Sequence, residues 1–270
     1  MSTTPVPASD RYQQRFSGTC RLYGMFGLEI LRRSHICVIG IGGVGSWAVE
    51  ALARSGVGAL TLVDMDDVCV TNMNRQIHAM SGTIGQSKIE VMADRVRAIN
   101  PDCQITLIDD FISEANIPQY ITKNFDYVLD AIDSIQPKTA LLVYCKRNKI
   151  RVITVGGAGG QIDPTQIQVA DLTKSVQDPL AAKLRNNLRY FHNFTKTKNR
   201  KFGIDCVFST EKLRYPQPDG SVCEAKVSGK GSKKLDCSTG FGAATMVTAT
   251  FGFIAVSRII AKLMARKKLT

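Results

Sequence analysis

Short apolar runs alternate with amphipathic stretches through the first two thirds of the chain. Residues 36–39, 60–63, 105–108, 127–129 and 152–155 are brief, charge-poor or charge-free and rich in Ile, Val and Leu, the pattern of strands buried on both faces. Between them lie helical spacings. Residues 44–55 predict a helix closed by Gly56. Residues 87–99 place Ile89, Met92, Val96 and Ile99 on one face and stop before Pro101, and 137–147 predict a third helix. Strand–helix alternation of this kind predicts an α/β fold, a Rossmann-like, doubly wound and mostly parallel sheet. No internal repeat is evident.

Beyond the run Gly156-Gly157-Ala158-Gly159-Gly160 the pattern changes. Residues 166–169 alternate like an edge or antiparallel strand, and 206–209 like another short strand. Residues 183–201 are basic and polar and resemble a mobile insertion; 228–234 form a second basic loop. A last helix is predicted over 242–264. Overlapping its first part, 238–257 carries no charge for twenty residues and is followed by Arg258, Lys262, Arg266, Lys267 and Lys268. That length permits a membrane span with a basic flank, but its Thr and Gly content favours a helix buried in a core or a dimer interface. Membrane association through 238–257 stays open as the alternative.

Composition narrows the class. With 270 residues, 44% hydrophobic and 21% charged, the chain is long enough for one large globular domain. Its net charge of +12 is unevenly placed. Residues 1–182 hold 17 Lys/Arg against 18 Asp/Glu, and residues 183–270 hold 18 against 5. A +13 balance confined to the last third points to a polyanionic partner. The eight cysteines are scattered with no C-x-x-C pair, and the first fifteen residues lack the apolar core of an export signal. Reduced thiols in the cytoplasm, and no zinc, are expected.

Gly40-Ile41-Gly42-Gly43-Val44-Gly45 fits G-x-G-x-x-G, directly after a predicted strand and before a predicted helix. Glycines let the backbone turn tightly against a phosphate, and the helix start offers N–H groups and a positive dipole end. Asp64 follows at the end of the next strand, where a ribose-binding acid belongs. To this point a nicotinamide dehydrogenase fits as well as an ATP enzyme. Thr71-Asn72-Met73-Asn74-Arg75-Gln76, then Lys88 opening the next helix, favour ATP, because cleaving a triphosphate needs cations that stabilise departing charge. Asp133, just past the fourth strand, is placed to hold Mg²⁺ beside a nucleotide.

This constellation resembles the ubiquitin-activating enzyme superfamily, which includes the adenylyltransferases for molybdopterin and thiamine sulfur carriers. The resemblance implies Gly40, Gly42, Gly43 and Gly45 on the ATP phosphates and Asp64 on the ribose. Asn72, Arg75, Gln76 and Lys88 would surround the phosphates, and Asp133 would bind Mg²⁺; Arg75, Lys88 and Asp133 are the catalytic candidates. It further implies a homodimer in which an N-terminal arginine, Arg15 or Arg21, reaches the partner's ATP. The sulfur-carrier activators carry two C-x-x-C pairs that this chain lacks.

Residues 15–24, 156–172 and 236–252 are instead similar to the superfamily's tRNA-modifying branch, so that the whole of 1–270 is expected to be one adenylating domain, with 183–235 as basic loops within it. That branch implies a ligase-type dehydratase that cyclises N6-threonylcarbamoyladenosine next to the anticodon after adenylating its threonyl carboxylate. Activation of a ubiquitin-like sulfur carrier is the alternative, and a non-catalytic RNA-binding module a third reading. Lys196, Lys198, Arg200, Lys201, Lys230, Lys233 and Lys234 are the candidate tRNA contacts. Cys237 is a candidate thiol, though cyclisation requires none. The resemblance also associates such proteins with a cysteine desulfurase and its sulfur acceptor.

Overall fold

In the computed structural model, residues 10–197, 199–217, 219–224 and 241–265 are described. Two helices lead in, α1 (Asp10–Arg15) and α2 (Ser17–Arg33), the latter kinked at Gly24. Then follow β1 (His35–Ile39), α3 (Gly45–Arg54), β2 (Ala59–Val63), α4 (Lys88–Ile99), β3 (Gln104–Ile108), α5 (Ile117–Tyr120) and β4 (Tyr127–Asp130). The chain continues through α6 (Ile135–Arg147), β5 (Val152–Val155), β6 (Ile167–Asp171), α7 (Pro179–Phe191) and β7 (Asp205–Ser209). A small hairpin, β8 (Tyr215–Pro216) with β9 (Val222–Cys223), precedes α8 (Thr245–Ala265).

Seven strands form one sheet in the order β3-β2-β1-β4-β5-β7-β6, all parallel except β6, which runs antiparallel to β7 at the edge. Alternation along β1 divides the core. Ile36 and Val38 pack with α3, α4 and α8, whereas Cys37 and Ile39 pack with α5, α6 and α7. Both faces are covered, which is why the strands read as continuous apolar runs. Chain order reverses at β1, whose neighbours are β2 and β4, so a crevice opens beyond the carboxyl ends of β1 and β4.

The packing corrects one expectation and bears out another. Residues 183–201 are not wholly a loose insertion: their first half belongs to α7, whose Ala181, Leu184 and Leu188 are buried against the α6 side of the sheet. Asp178 caps this helix, accepting from the Ala181 N–H at 2.9 Å, and Pro179 occupies its first turn. The uncharged 238–257 stretch, where described, is a core helix. Val247, Phe251, Ala255, Ile259 and Leu263 of α8 are buried, and Gly252 packs closely against Val44 and Ala48 at the start of α3. Arg258, the first residue of the supposed membrane flank, makes a forked ion pair with Asp205 of β7, at 2.7 and 3.2 Å. The helix starts three residues later than the apolar pattern suggests. Lys198, the 228–234 loop and Cys237 lie outside the described residues.

Candidate nucleotide-binding site

The glycine turn sits at the mouth of the β1–β4 crevice. Gly40 has φ 85°, and a Cβ there would lie 2.8 Å from the Ala131 carbonyl oxygen. At Gly45 a Cβ would fall 1.8 Å from the Gly40 oxygen, so only glycine lets α3 start this close to the strand it follows. Val44, at the N-cap of α3, supplies no side-chain oxygen to the first turn. The helix start therefore presents its amide end to an anion.

Asp64 locks this turn from the neighbouring strand. One oxygen accepts the Ile41 N–H at 2.5 Å and the other the Asp66 N–H at 2.9 Å. Burial raises its pKa above the usual carboxylate range, and Lys88 pulls in the opposite direction. A carboxylate has about four lone-pair sites, so capacity remains for ribose hydroxyls. Lys88 is itself nearly buried, donating to Asp66 at 2.7 Å with its ammonium 3.9 Å from Asp64. The structure thus places Lys88 with the carboxylates at the end of β2.

Residues 71–76 fold over the turn. Asn72 is buried and accepts the Cys69 N–H through its side chain, which shapes the loop. The Arg75 stem crosses Gly43, where a Cβ would meet its Cγ at 3.4 Å. Its guanidinium donates to the Thr71 carbonyl and to Asn74 Oδ1. Gln76 is buried beside Gly42, with its Oε1 lacking a partner; Ser46 Oγ in the first turn of α3 is likewise buried and unpaired. Orphaned polar atoms flanking a glycine turn are what a polar ligand would satisfy. From the far side α3 and the start of α8, with the residues just before it, brace the loop. Trp47 Nε1 donates to the Arg75 carbonyl at 3.0 Å, Thr245 donates to the Asn74 carbonyl, and Asn74 Nδ2 donates to the Ala243 carbonyl at 2.9 Å.

The opposite wall carries two acids of different kinds. Asp133 is exposed, with no side-chain partner among the described residues, and Ser134 rather than Asp133 occupies the N-cap of α6. Asp130 is fully buried. It accepts Lys138 Nζ at 2.9 Å, Thr154 Oγ1 at 2.6 Å and the Ile132 N–H at 3.1 Å. Sequence reasoning named Asp133 and missed Lys138, whose partner is fixed only by the return of α6 over β4.

His78, also missed, is fully buried on the loop after Gln76, and neither ring nitrogen has a partner. Burial, with Lys88 and Arg95 nearby, lowers its pKa from 6.5 to about 4. The unfolded chain therefore binds the proton more readily, so stability is retained above pH 6.5 and lost as pH falls toward 4. The gap corresponds to about 3 kcal/mol. Urea titrations at stepped pH are expected to show that decline flattened in His78→Phe; an unchanged decline would assign it to other groups.

Comparison with known proteins gives a consistent set of likenesses. The ThiF family matches residues 16–269. The chain is 60% identical to the tRNA threonylcarbamoyladenosine dehydratase of Escherichia coli K12, covering 97% of each, and 59% identical to that of Haemophilus influenzae, covering 99% of this chain and 100% of the other. A crystal structure of the E. coli dehydratase, TcdA, in complex with ATP superposes with a TM-score of 0.88 at 56% identity, over 98% of this chain and 100% of that one.

Proposed function

Since the chain belongs to the ThiF family, we propose that it spends ATP to dehydrate N6-threonylcarbamoyladenosine next to the anticodon of tRNA. The observation that carries this reading is end-to-end likeness to dehydratases of that name, one of them with ATP bound, joined to a glycine turn with unsatisfied polar atoms at the topological switch point. Full-length likeness of this kind, with a +13 last third, favours tRNA over a small sulfur-carrier protein as substrate.

The chemical problem is a carboxylate, which is a poor electrophile because its leaving group would be hydroxide or oxide. One carboxylate oxygen attacks the α-phosphorus of ATP; an O–P bond forms, the bond to the β,γ-diphosphate breaks, and pyrophosphate leaves. The neighbouring carbamoyl group then attacks the activated carbonyl, loses a proton, and expels AMP. Ring closure is intramolecular, so the reacting atoms are already held together. The nucleophile in the first step is ionised at neutral pH, so no general base is needed for it. Gly40, Gly42, Gly43 and Gly45 admit the phosphates, Asp64 holds the ribose, and Asn72 and Gln76 shape and line the loop above them. Arg75 takes the charge that grows on the phosphates. Lys88 orients Asp64 and Asp66 as well as adding positive potential. Exposed Asp133 fits a Mg²⁺ carried in by the nucleotide, since that ion commonly uses one or two protein carboxylates and completes its shell with phosphates and water. When bound, the ion neutralises phosphate charge. Asp130 is committed to Lys138 and is not available to it.

A homodimer accords with α2, where Leu22, Met25 and Phe26 are exposed. Of the two arginines offered to a partner's phosphates, Arg15 approaches Asp102 at 3.9 Å, while Arg21 is exposed on the apolar stretch itself. Arg21 is the better placed. Cyclisation as written uses no thiol, so Cys237 has no step to perform.

Mass spectrometry of nucleosides from modified tRNA incubated with enzyme and ATP is expected to show loss of one water with AMP formed in equal amount. Unaltered nucleosides would sink the reading. Replacing Lys196, Lys198, Arg200 and Lys201 together by Ala is expected to weaken tRNA binding and reduce its log–log salt slope by about 3. An unchanged slope would remove these residues from the interface.

A further inference from the structure

The last turn of α7 exposes two consecutive aromatic rings, Tyr190 (67% exposed) and Phe191 (76%). Leu184 and Leu188 on the inner face already anchor the helix, so the outward rings are not needed for packing. The segment that carries them holds charge of one sign, although Glu114 lines the neighbouring cavity. From residue 179 to 201 there are seven Lys and Arg and no Asp or Glu. Lys196 Nζ lies 5.1 Å from the Tyr190 ring centroid, and Lys196, Arg200 and Lys201 are exposed. Exposed aromatic rings amid cations are the composition used to hold single-stranded nucleic acid, with bases on the rings and phosphates on the cations.

Contacts and a shared cavity join the end of this helix to α6. Asn187 Nδ2 reaches Thr139 Oγ1 of α6 at 3.5 Å. Asn187 and His192 line one wall of a cavity of about 500 Å³ whose other walls include Ile112, Ser113, Gln136 and Thr139. The cavity therefore runs from the aromatic end of α7 to the first turns of α6, the helix that begins just after Asp133.

We propose that Tyr190 and Phe191 are a stacking platform for unpaired bases of the tRNA substrate, beside the cavity between the end of α7 and the first turn of α6. The proposal rests on tRNA being the substrate and adds where its loop is held. Bases in an anticodon loop can be splayed from the helix, and aromatic side chains take them without regard to sequence. Lys196 sets a cation beside the stacked base, where the adjoining phosphate lies.

The full-length enzyme, its Tyr190→Ala/Phe191→Ala variant and its Tyr190→Phe/Phe191→Tyr variant are compared by anisotropy with labelled tRNA bearing threonylcarbamoyladenosine, across a salt series. The alanine variant is expected to bind about ten- to a hundredfold more weakly with the same salt slope, because stacking releases no counterions. ATP binding stays at wild-type level, and the aromatic swap restores tRNA affinity. Unchanged affinity in the alanine variant overturns the platform. So does a loss accompanied by a change of oligomeric state in sedimentation, which would make the rings a contact between copies of the chain. If the wild type binds tRNA through these rings but removes no water from it, the dehydratase reading fails and the platform stands.

Discussion

Arg75→Ala is expected to slow adenylate formation by about two to three orders of magnitude, the usual cost of removing one preorganised group that meets developing charge. The reason lies in how the side chain is held. Its carbonyl is tied to Trp47, its stem lies across Gly43, and its guanidinium rests on Thr71 and Asn74. A cation parked over the glycine turn, on weak neutral acceptors, can turn to phosphate without breaking a strong ion pair. Lys88 cannot do so, since it would have to leave Asp66. Single-turnover release of pyrophosphate from ATP in the presence of modified tRNA reads the effect directly. The drop should appear in kcat rather than in ATP affinity, with Arg75→Lys recovering part of it. A rate within tenfold of wild type would exclude Arg75 from the charge-stabilising role.

Lys138→Met is expected to cost about 3–5 kcal/mol of stability, because it strands the buried Asp130 carboxylate without its counter-charge. Thr154 and the Ile132 N–H would remain as neutral donors, too few for a charge with no contact with water. Adding Asp130→Asn to Lys138→Met removes the orphaned charge and is expected to recover a large part of the loss. Urea denaturation of the two variants decides the matter. A loss below about 1 kcal/mol for Lys138→Met would mean that water or another cation reaches Asp130.

What the sequence disclosed follows from the physics of each element. β1, β2, β4 and β5 were legible because strands covered on both faces must be apolar throughout. The glycine turn and Asp64 were legible because tight backbone approach and a strand-end acid leave a fixed spacing. α7 was obscured: Lys183, Arg185, Asn186, Asn187 and Arg189 outnumber the three small or aliphatic residues that hold it down. α2 was hidden by the break at Gly24 and by apolar residues on its exposed side, which blur the 3.6-residue rhythm. The Asp130–Lys138 pair and the Arg75 brace depend on tertiary packing, which single-residue patterns do not record.

Part of the brace on the arginine loop comes from α8 and the residues just before it, since Ala243, Thr245 and Thr248 close on Asn74 and Arg75. During synthesis the ribosome therefore makes the phosphate cradle well before this clasp. A nascent chain released only as far as β5 has the whole parallel half of the crevice and none of the clasp. Nucleotide binding of the mature kind must wait until α8 has been made, and that helix serves as the part whose arrival makes the enzyme competent.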